Sequence, residues 1–414
     1  MRLVSRTLFR SLSGSALSIL CLSLALPAQA ATPLATAFAA AWERQPAAAA
    51  FTERERAAAA GVTAANALIA APPSLELASR TDRYNRRQGA QENELGLVLP
   101  LWLPGERSGS QALAAAEAEG VSARRLALQL RLAQVLRDTW WSWQSARNDT
   151  ALAADRLTAA RQLRDDVAHR HDAGDLSRAD LHQAEGALAL AEAQQAEAEA
   201  QLAGASYRLA SLTGQLPQGG EAPAEASPDP TTATSDLTAH PLLAELANRA
   251  AIAERSAELA RRQMQSNPEL AISTRVDRAA TGLPNDQTWM LALRVPLGGG
   301  AKQDARIANA RADAIEAGIE LSRERERLER EAGTLRLQVQ AARQQLDAAE
   351  RRARLARETR GFYDKSFRLG QTDLPQRLRI EQEAFEAERA LIRARLTLAQ
   401  GISNWRQALG LLPD

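Results

Sequence analysis

The chain repeats itself, and that constrains its fold more than any other feature. Pro46 and Pro241 stand 195 residues apart, as do Pro73 and Pro268. Thr81-Asp82-Arg83 returns as Val276-Asp277-Arg278 at the same offset. From there the offset is 196: Pro100-Leu101 recurs as Pro296-Leu297, Gly174 as Gly370, Gly214 as Gly410 and Pro217 as Pro413. One residue inserted between Arg278 and Pro296 accounts for the change. The chain therefore reads as a first repeat over 31–214, a Pro/Gly/Ser/Thr-rich linker over 215–235 and a second repeat over 236–414. Its architecture has to be one that two copies of a single unit can build.

Each copy runs through the same order of elements. A helix comes first, Leu34 to Ala70 and Leu242 to Gln265, the former bent or restarted at Pro46. The hydrophobic period then changes from 3.6 to 2. Leu75, Leu77, Ser79 and Thr81 alternate with polar neighbours, and after a turn so do Leu95, Leu97, Leu99 and Leu101. The second copy repeats this with Leu270, Ile272, Thr274 and Val276, then Trp289, Leu291, Leu293, Val295 and Leu297. Each copy thus carries one β-hairpin with an apolar and a polar face, over about 73–102 and about 268–297. A proline-free helix of coiled-coil character follows, about 108–172 and about 304–368, some 100 Å long at 1.5 Å per residue. Its apolar anchors include Leu132, Leu136, Trp140 and Trp143 in the first copy and Leu321, Leu328 and Leu335 in the second. A second helix returns over about 177–211 and about 373–408. Between the two, Gly174 and Gly370 suit the left-handed position that ends a helix, and Ser177 and Asp373 the N-cap of the next. Asp180 and Gln376 stand at capping-box spacing beyond them.

Composition excludes several classes. Lys+Arg at 51 nearly balance Asp+Glu at 50, which argues against a general nucleic-acid binder. Arg2, Arg6 and Arg10, the apolar run Leu17 to Leu26 and Ala28-Gln29-Ala30 read as a secretory signal over 1–30. Its removal leaves 48 basic against 50 acidic residues, a formal charge of −2. It also removes Cys21, where Leu20 replaces the small residue that lipidation needs. The exported chain then has no cysteine for a disulfide, a zinc site or a nucleophile. No G-x-S-x-G, phosphate-binding glycine loop or H-E-x-x-H occurs, so no catalytic residue, cofactor or metal ligand is assigned. His169, His171 and His182 flank the first turn, but 169 and 171 point to different helix faces, and histidine near a helix C-terminus is favourable by itself. Trp140, Trp141 and Trp143 read as helix packing.

No stretch beyond residue 30 approaches the ~18 uninterrupted apolar residues of a membrane-spanning helix. Alternating strands of about ten residues can instead cross a bilayer as a barrel, but four are too few, since the smallest membrane barrels have about eight. If the hairpins face lipid, several chains must pool them. Tyr84, Trp102 and Trp289 lie near strand ends, where aromatic girdles sit. The competing reading is a periplasmic coiled-coil scaffold or adaptor with soluble hairpins, whose long helices only bridge partners; it would have to bury the apolar face of Leu95 to Leu101 and Trp289 to Leu297 within protein.

The signal, the duplicated order and the paired turns Arg170 to Leu181 and Phe367 to Asp373-Leu374, with the closing Leu212-Thr213-Gly214 and Leu409-Gly410, resemble the TolC-type outer-membrane efflux proteins. The resemblance implies a homotrimer in the Gram-negative outer membrane. Twelve strands, four per chain, would form one transmembrane β-barrel, continued by a trimeric α-helical barrel through the periplasm. It implies that Gly174, Asp175, Leu176, Ser177, Gly370, Gln371, Thr372 and Asp373 form a tip that docks with a periplasmic adaptor and an inner-membrane pump. The cargo would be small toxic compounds or metal cations. An acidic ring near the tip is also implied. Asp180 occupies such a position, but the second copy has Gln376, Arg377 and Arg379 there. Two readings stay open for this possible gate: a cross-subunit Asp180–Arg377 pair, or solvated charges.

Overall fold

A computed structural model describes residues 32–85, 87–218, 224–229, 237–298 and 300–414. The signal segment, Cys21 and part of the linker lie outside the described residues. The first repeat contains α1 (Pro33–Glu43), α2 (Pro46–Ala65), β1 (Ser74–Thr81), β2 (Gln91–Pro100), α3 (Glu106–Asp172) and α4 (Arg178–Thr213). The second contains α5 (Pro241–Arg262), β3 (Glu269–Arg278), β4 (Asp286–Arg294), α6 (Ala301–Arg368) and α7 (Leu374–Ala408).

The opening helix of the first copy is two helices. Pro46 starts α2 at its first turn, where a missing amide is harmless, and Gln45 before it is extended. The helix stops at Ala65 rather than Ala70, because the Asn66 side chain folds back to donate to Val62 O and the chain must turn toward β1. The strands also end sooner than the alternation suggests. Leu101, Val295 and Leu297 lie beyond β2 and β4: Leu101 N still donates to Pro268 O, but Pro268 has no amide to return the bond, and Pro296 has none on the β4 side.

All four strands form one antiparallel sheet in the order β1-β2-β3-β4. The two hairpins are joined through β2 and β3, with Leu97 opposite Ile272 and Leu95 opposite Thr274. Gly89 (φ +82°) lets the two hairpin turns meet: a Cβ there would lie 2.0 Å from Thr281 Oγ1. α3 packs against α4, α5, α2 and α7, whereas α6 packs mainly against α5 and α7. The α3 core is correspondingly richer. Leu34, Leu136, Trp140, Trp141, Trp143 and Leu209 form one cluster, with the Trp140 and Trp143 rings 5.2 Å apart. The Trp141 indole donates to Ser403 Oγ at 2.9 Å, tying the first repeat to the second.

Candidate functional site

One face of the sheet is apolar over most of its length and the other is polar. On one face the register aligns Leu99, Leu270 and Leu293, then Leu75, Leu97, Ile272 and Leu291, then Leu77, Leu95, Thr274 and Trp289. Beyond Trp289 the same face turns polar, through Ser79, Asn93 and Gln287 around Val276, and then Thr81, Gln91 and Arg278. The apolar residues are open: Leu77 is 75 % exposed, Trp289 74 % and Leu291 70 %. The opposite face carries Glu76, Arg80, Glu92, Glu94, Ser273, Arg275 and Asp277. Arg275 pairs with Glu92 at 2.6 Å, and Ser273 donates to Glu94 at 2.9 Å. Ser273 and Val98 on this face are buried. A soluble sheet does the reverse, covering its apolar side and wetting its polar one.

Trp289 lies fourth in β4 rather than at its end, in the last apolar row before the polar ones. Tyr84 is in the β1–β2 turn and almost fully exposed. Trp102 follows β2, and its indole donates to Ala67 O at 3.1 Å, so it packs against the segment between α2 and β1. At the helical end of the sheet, the buried Glu106 carboxylate joins the repeats: it accepts from Leu103 N, Gln263 Nε2 and Asn267 Nδ2.

At the opposite end of the long helices sit the two turns. Gly174 (φ +86°) and Gly370 (φ +72°) are both left-handed. Asp175 N donates to Arg170 O and Gln371 N to Ser366 O, each at 2.9 Å. In the first turn the capping box is complete: Ser177 Oγ accepts from Asp180 N, and Asp180 Oδ2 accepts from Ser177 N. In the second, Asp373 Oδ1 accepts from Gln376 N, and the Gln376 side chain makes no return bond. Thr372 and Ser366 hydroxyls meet at 2.5 Å. One core underlies both turns, built from Leu163, Val167, Ala184, Phe367 and Leu374, with Leu176 half-buried against it.

The Asp180–Arg377 pair is not formed within the chain. Asp180 is committed to its cap, and Arg377 reaches Asp364 at 2.7 Å and Asp166 at 3.9 Å while stacking on Phe367. Arg170 lies over the same ring, 5.0 Å from its centroid. His171 Nδ1 contacts Leu176 O and His182 faces Glu185, and no cluster of three potential metal ligands occurs among the described residues.

Sequence reasoning missed a buried charge cluster at mid-height. Glu225, from the linker, receives Arg137 Nη2 at 2.6 Å and Nε at 3.0 Å, with Arg406 Nε at 3.2 Å. Arg137 also donates to Gln407 Oε1 and Leu411 O. An arginine between Leu136 and the tryptophans was the one available signal, because a charge on a buried stripe needs a partner.

The described chain has the fold of the TolC-type outer-membrane channels. It is similar to VceC, an outer membrane protein of Vibrio cholerae, with a TM-score of 0.73 at 16 % identity, over 92 % of this chain and 97 % of that one. The open-state outer membrane channel MtrE of Neisseria gonorrhoeae gives 0.73 at 16 %, over 92 % and 89 %. CusC, whose structures concern folding and transmembrane channel formation, gives 0.73 at 16 %, over 92 % of each chain. No protein-family model matches the chain, and no curated protein matches it by sequence.

Proposed function

We propose that this chain is one protomer of a trimeric outer-membrane channel that serves a tripartite efflux system. The inverted sheet carries the reading. Left in water, each exposed Leu, Ile or Trp of the outer face would forgo about 1.5–3 kcal/mol of burial; against lipid the same residues are satisfied. The sheet has two open edges, β1 and β4. These run antiparallel to each other, so β4 of one copy can extend the ladder onto β1 of the next until the ring closes. Three copies supply the twelve strands of the proposed barrel.

The helices support the same assembly. Ile315, Ile319, Leu337, Leu355 and Phe362 of α6 are exposed. Their spacings of 4, 18, 18 and 7 place them on one stripe, since 18 residues are five turns. That stripe is the face we assign to a neighbouring protomer. α3 and α6, of 67 and 68 residues, then wall a tunnel about 100 Å long. The exposed Gly174, Asp175, Ser177, Gly370, Gln371 and Asp373 form the docking tip for a periplasmic adaptor and an inner-membrane pump. The cargo is small toxic compounds or metal cations, conducted passively. The scaffold reading requires protein over the outer face, and no described element of the chain supplies it.

Membrane fractionation with native mass measurement tests the proposal. An outer-membrane trimer is expected, with conductance when reconstituted in planar bilayers. A soluble monomer or dimer overturns it in favour of the scaffold.

A further inference from the structure

The geometry points to a binding site for lipid-headgroup phosphate at the end of the sheet remote from the helices. This inference rests on the membrane reading above and adds a ligand to it. The β1–β2 turn and the end of β3 border an open cavity of about 540 Å³, lined among others by Asp82, Arg83, Tyr84, Arg87 and Arg278. Its lining holds three arginines and one carboxylate. Asp82 Oδ2 is already taken up by the Gln88 amide at 2.8 Å, which shapes the turn, while its Oδ1 has no hydrogen-bond partner. Arg278 lines the cavity, and its buried Nε has no hydrogen-bond acceptor.

The site is built rather than loose. Arg87 is the one non-glycine residue with positive φ, at +53°, among the described residues, and Arg87 N donates to Asp82 O. A strained backbone persists where its surroundings hold it. Those surroundings include the second hairpin, since Thr281 N donates to Gln88 O at 2.9 Å.

Position selects the ligand. Thr81, Gln91 and Arg278 form the outward row beyond the apolar band, on the face that would meet lipid. Trp289 is opposite Thr274, four residues short of Arg278, which is ~13 Å along the strand. With a strand tilt of about 45°, Arg278 sits roughly 10 Å above the aromatic level. That height is the headgroup region of the leaflet facing away from the helices, where anionic phosphates lie. Guanidinium groups bind phosphate through paired, charge-assisted hydrogen bonds. The occupant is therefore the phosphorylated glycolipid of the outer leaflet.

The test uses the full-length protein in phosphatidylcholine vesicles with and without lipid A. Wild type is expected to insert into both and to retain lipid A through purification. A variant carrying R83A, R87A and R278A should insert equally but retain lipid A about tenfold less, the effect of losing one or two charged contacts. If that variant does not insert, Arg278→Gln alone is expected to show the weaker retention. Equal retention by an inserted variant overturns the proposal, as does displacement of lipid A by equimolar inorganic phosphate. Failure of wild type to enter either vesicle overturns the membrane reading itself.

Discussion

Replacing Glu225 by alanine tests whether the linker is a structural part of the helical body. The substitution strips two guanidinium groups of their shared carboxylate. Arg137 is fully buried and loses bonds of 2.6 and 3.0 Å. It keeps Gln407 Oε1 at 2.6 Å and Leu411 O at 3.1 Å. Arg406 keeps Asp414 at 2.7 Å and Ala226 O at 3.0 Å. Breaking a buried pair from one side costs about 3–5 kcal/mol, and the retained acceptors put this case near the lower end, about 3 kcal/mol. Glu225→Gln keeps the shape and one acceptor but loses the charge, and should cost about 1.5–3 kcal/mol. Urea unfolding of the detergent-solubilised protein, followed by helical circular dichroism, reads both values. The double variant Arg137→Met, Glu225→Ala should lose less than the sum of the single changes, because no unpaired charge is left at position 137. A loss below about 1 kcal/mol for Glu225→Ala, the range of an exposed pair, would refute the reasoning.

Other outcomes follow from individual sites. Leu291→Arg places a charge on the outward face and should destabilise the inserted state by about 2–4 kcal/mol, seen as loss of heat-resistant trimer on gels; unchanged trimer would count against a lipid-facing β4. Ser177→Ala removes the cap of α4 and should cost about 0.5–2 kcal/mol, read as faster amide exchange confined to the first turn. Gly410→Ala combines strain at φ +76° with a Cβ 2.6 Å from Pro241 Cδ, and should lower the unfolding midpoint more than Gly318→Ala, which meets open space. Burial holds His240 below its ordinary value of 6.5, with Glu324 opposing and Arg327 assisting. The folded state thus binds this proton less readily than the unfolded one. The stabilisation is complete above the unfolded value and declines as the pH falls from about 6.5 toward the depressed one. His240→Asn should flatten that part of the stability profile, and an unchanged slope would exclude His240 as its source.

Much of this architecture can be read from residue order because each signal is local. The change of period from 3.6 to 2 marks the hairpins, and Gly174, Ser177, Gly370 and Asp373 punctuate the helical turns. The alternation also shows that each strand has an apolar side. What it does not show is that no described element of the chain covers that side, because coverage depends on where α2, α3, α5 and α6 leave the sheet. The partners of Arg137 and Arg377 are hidden for the same reason. Glu225 is 88 residues from Arg137, and Asp364 and Asp166 approach Arg377 from different helices. Charge pairing across elements is fixed by packing, and neither propensity nor spacing encodes it. The difference between the copies, with a full capping box at Ser177 and half of one at Asp373, rests on which way one side chain turns.

The two open edges of the sheet have a consequence for biogenesis. In the proposed ring, a chain that supplies four strands cannot complete its own hydrogen bonding, however long it is given. Before its neighbours arrive it presents bare strand edges beside an uncovered apolar face, the combination that drives promiscuous strand addition. Maturation of such a channel would then depend on encounters between chains, slowing steeply at low synthesis rates and drifting toward aggregation at high ones. Expression level, rather than intrinsic stability, would set the yield of finished channel.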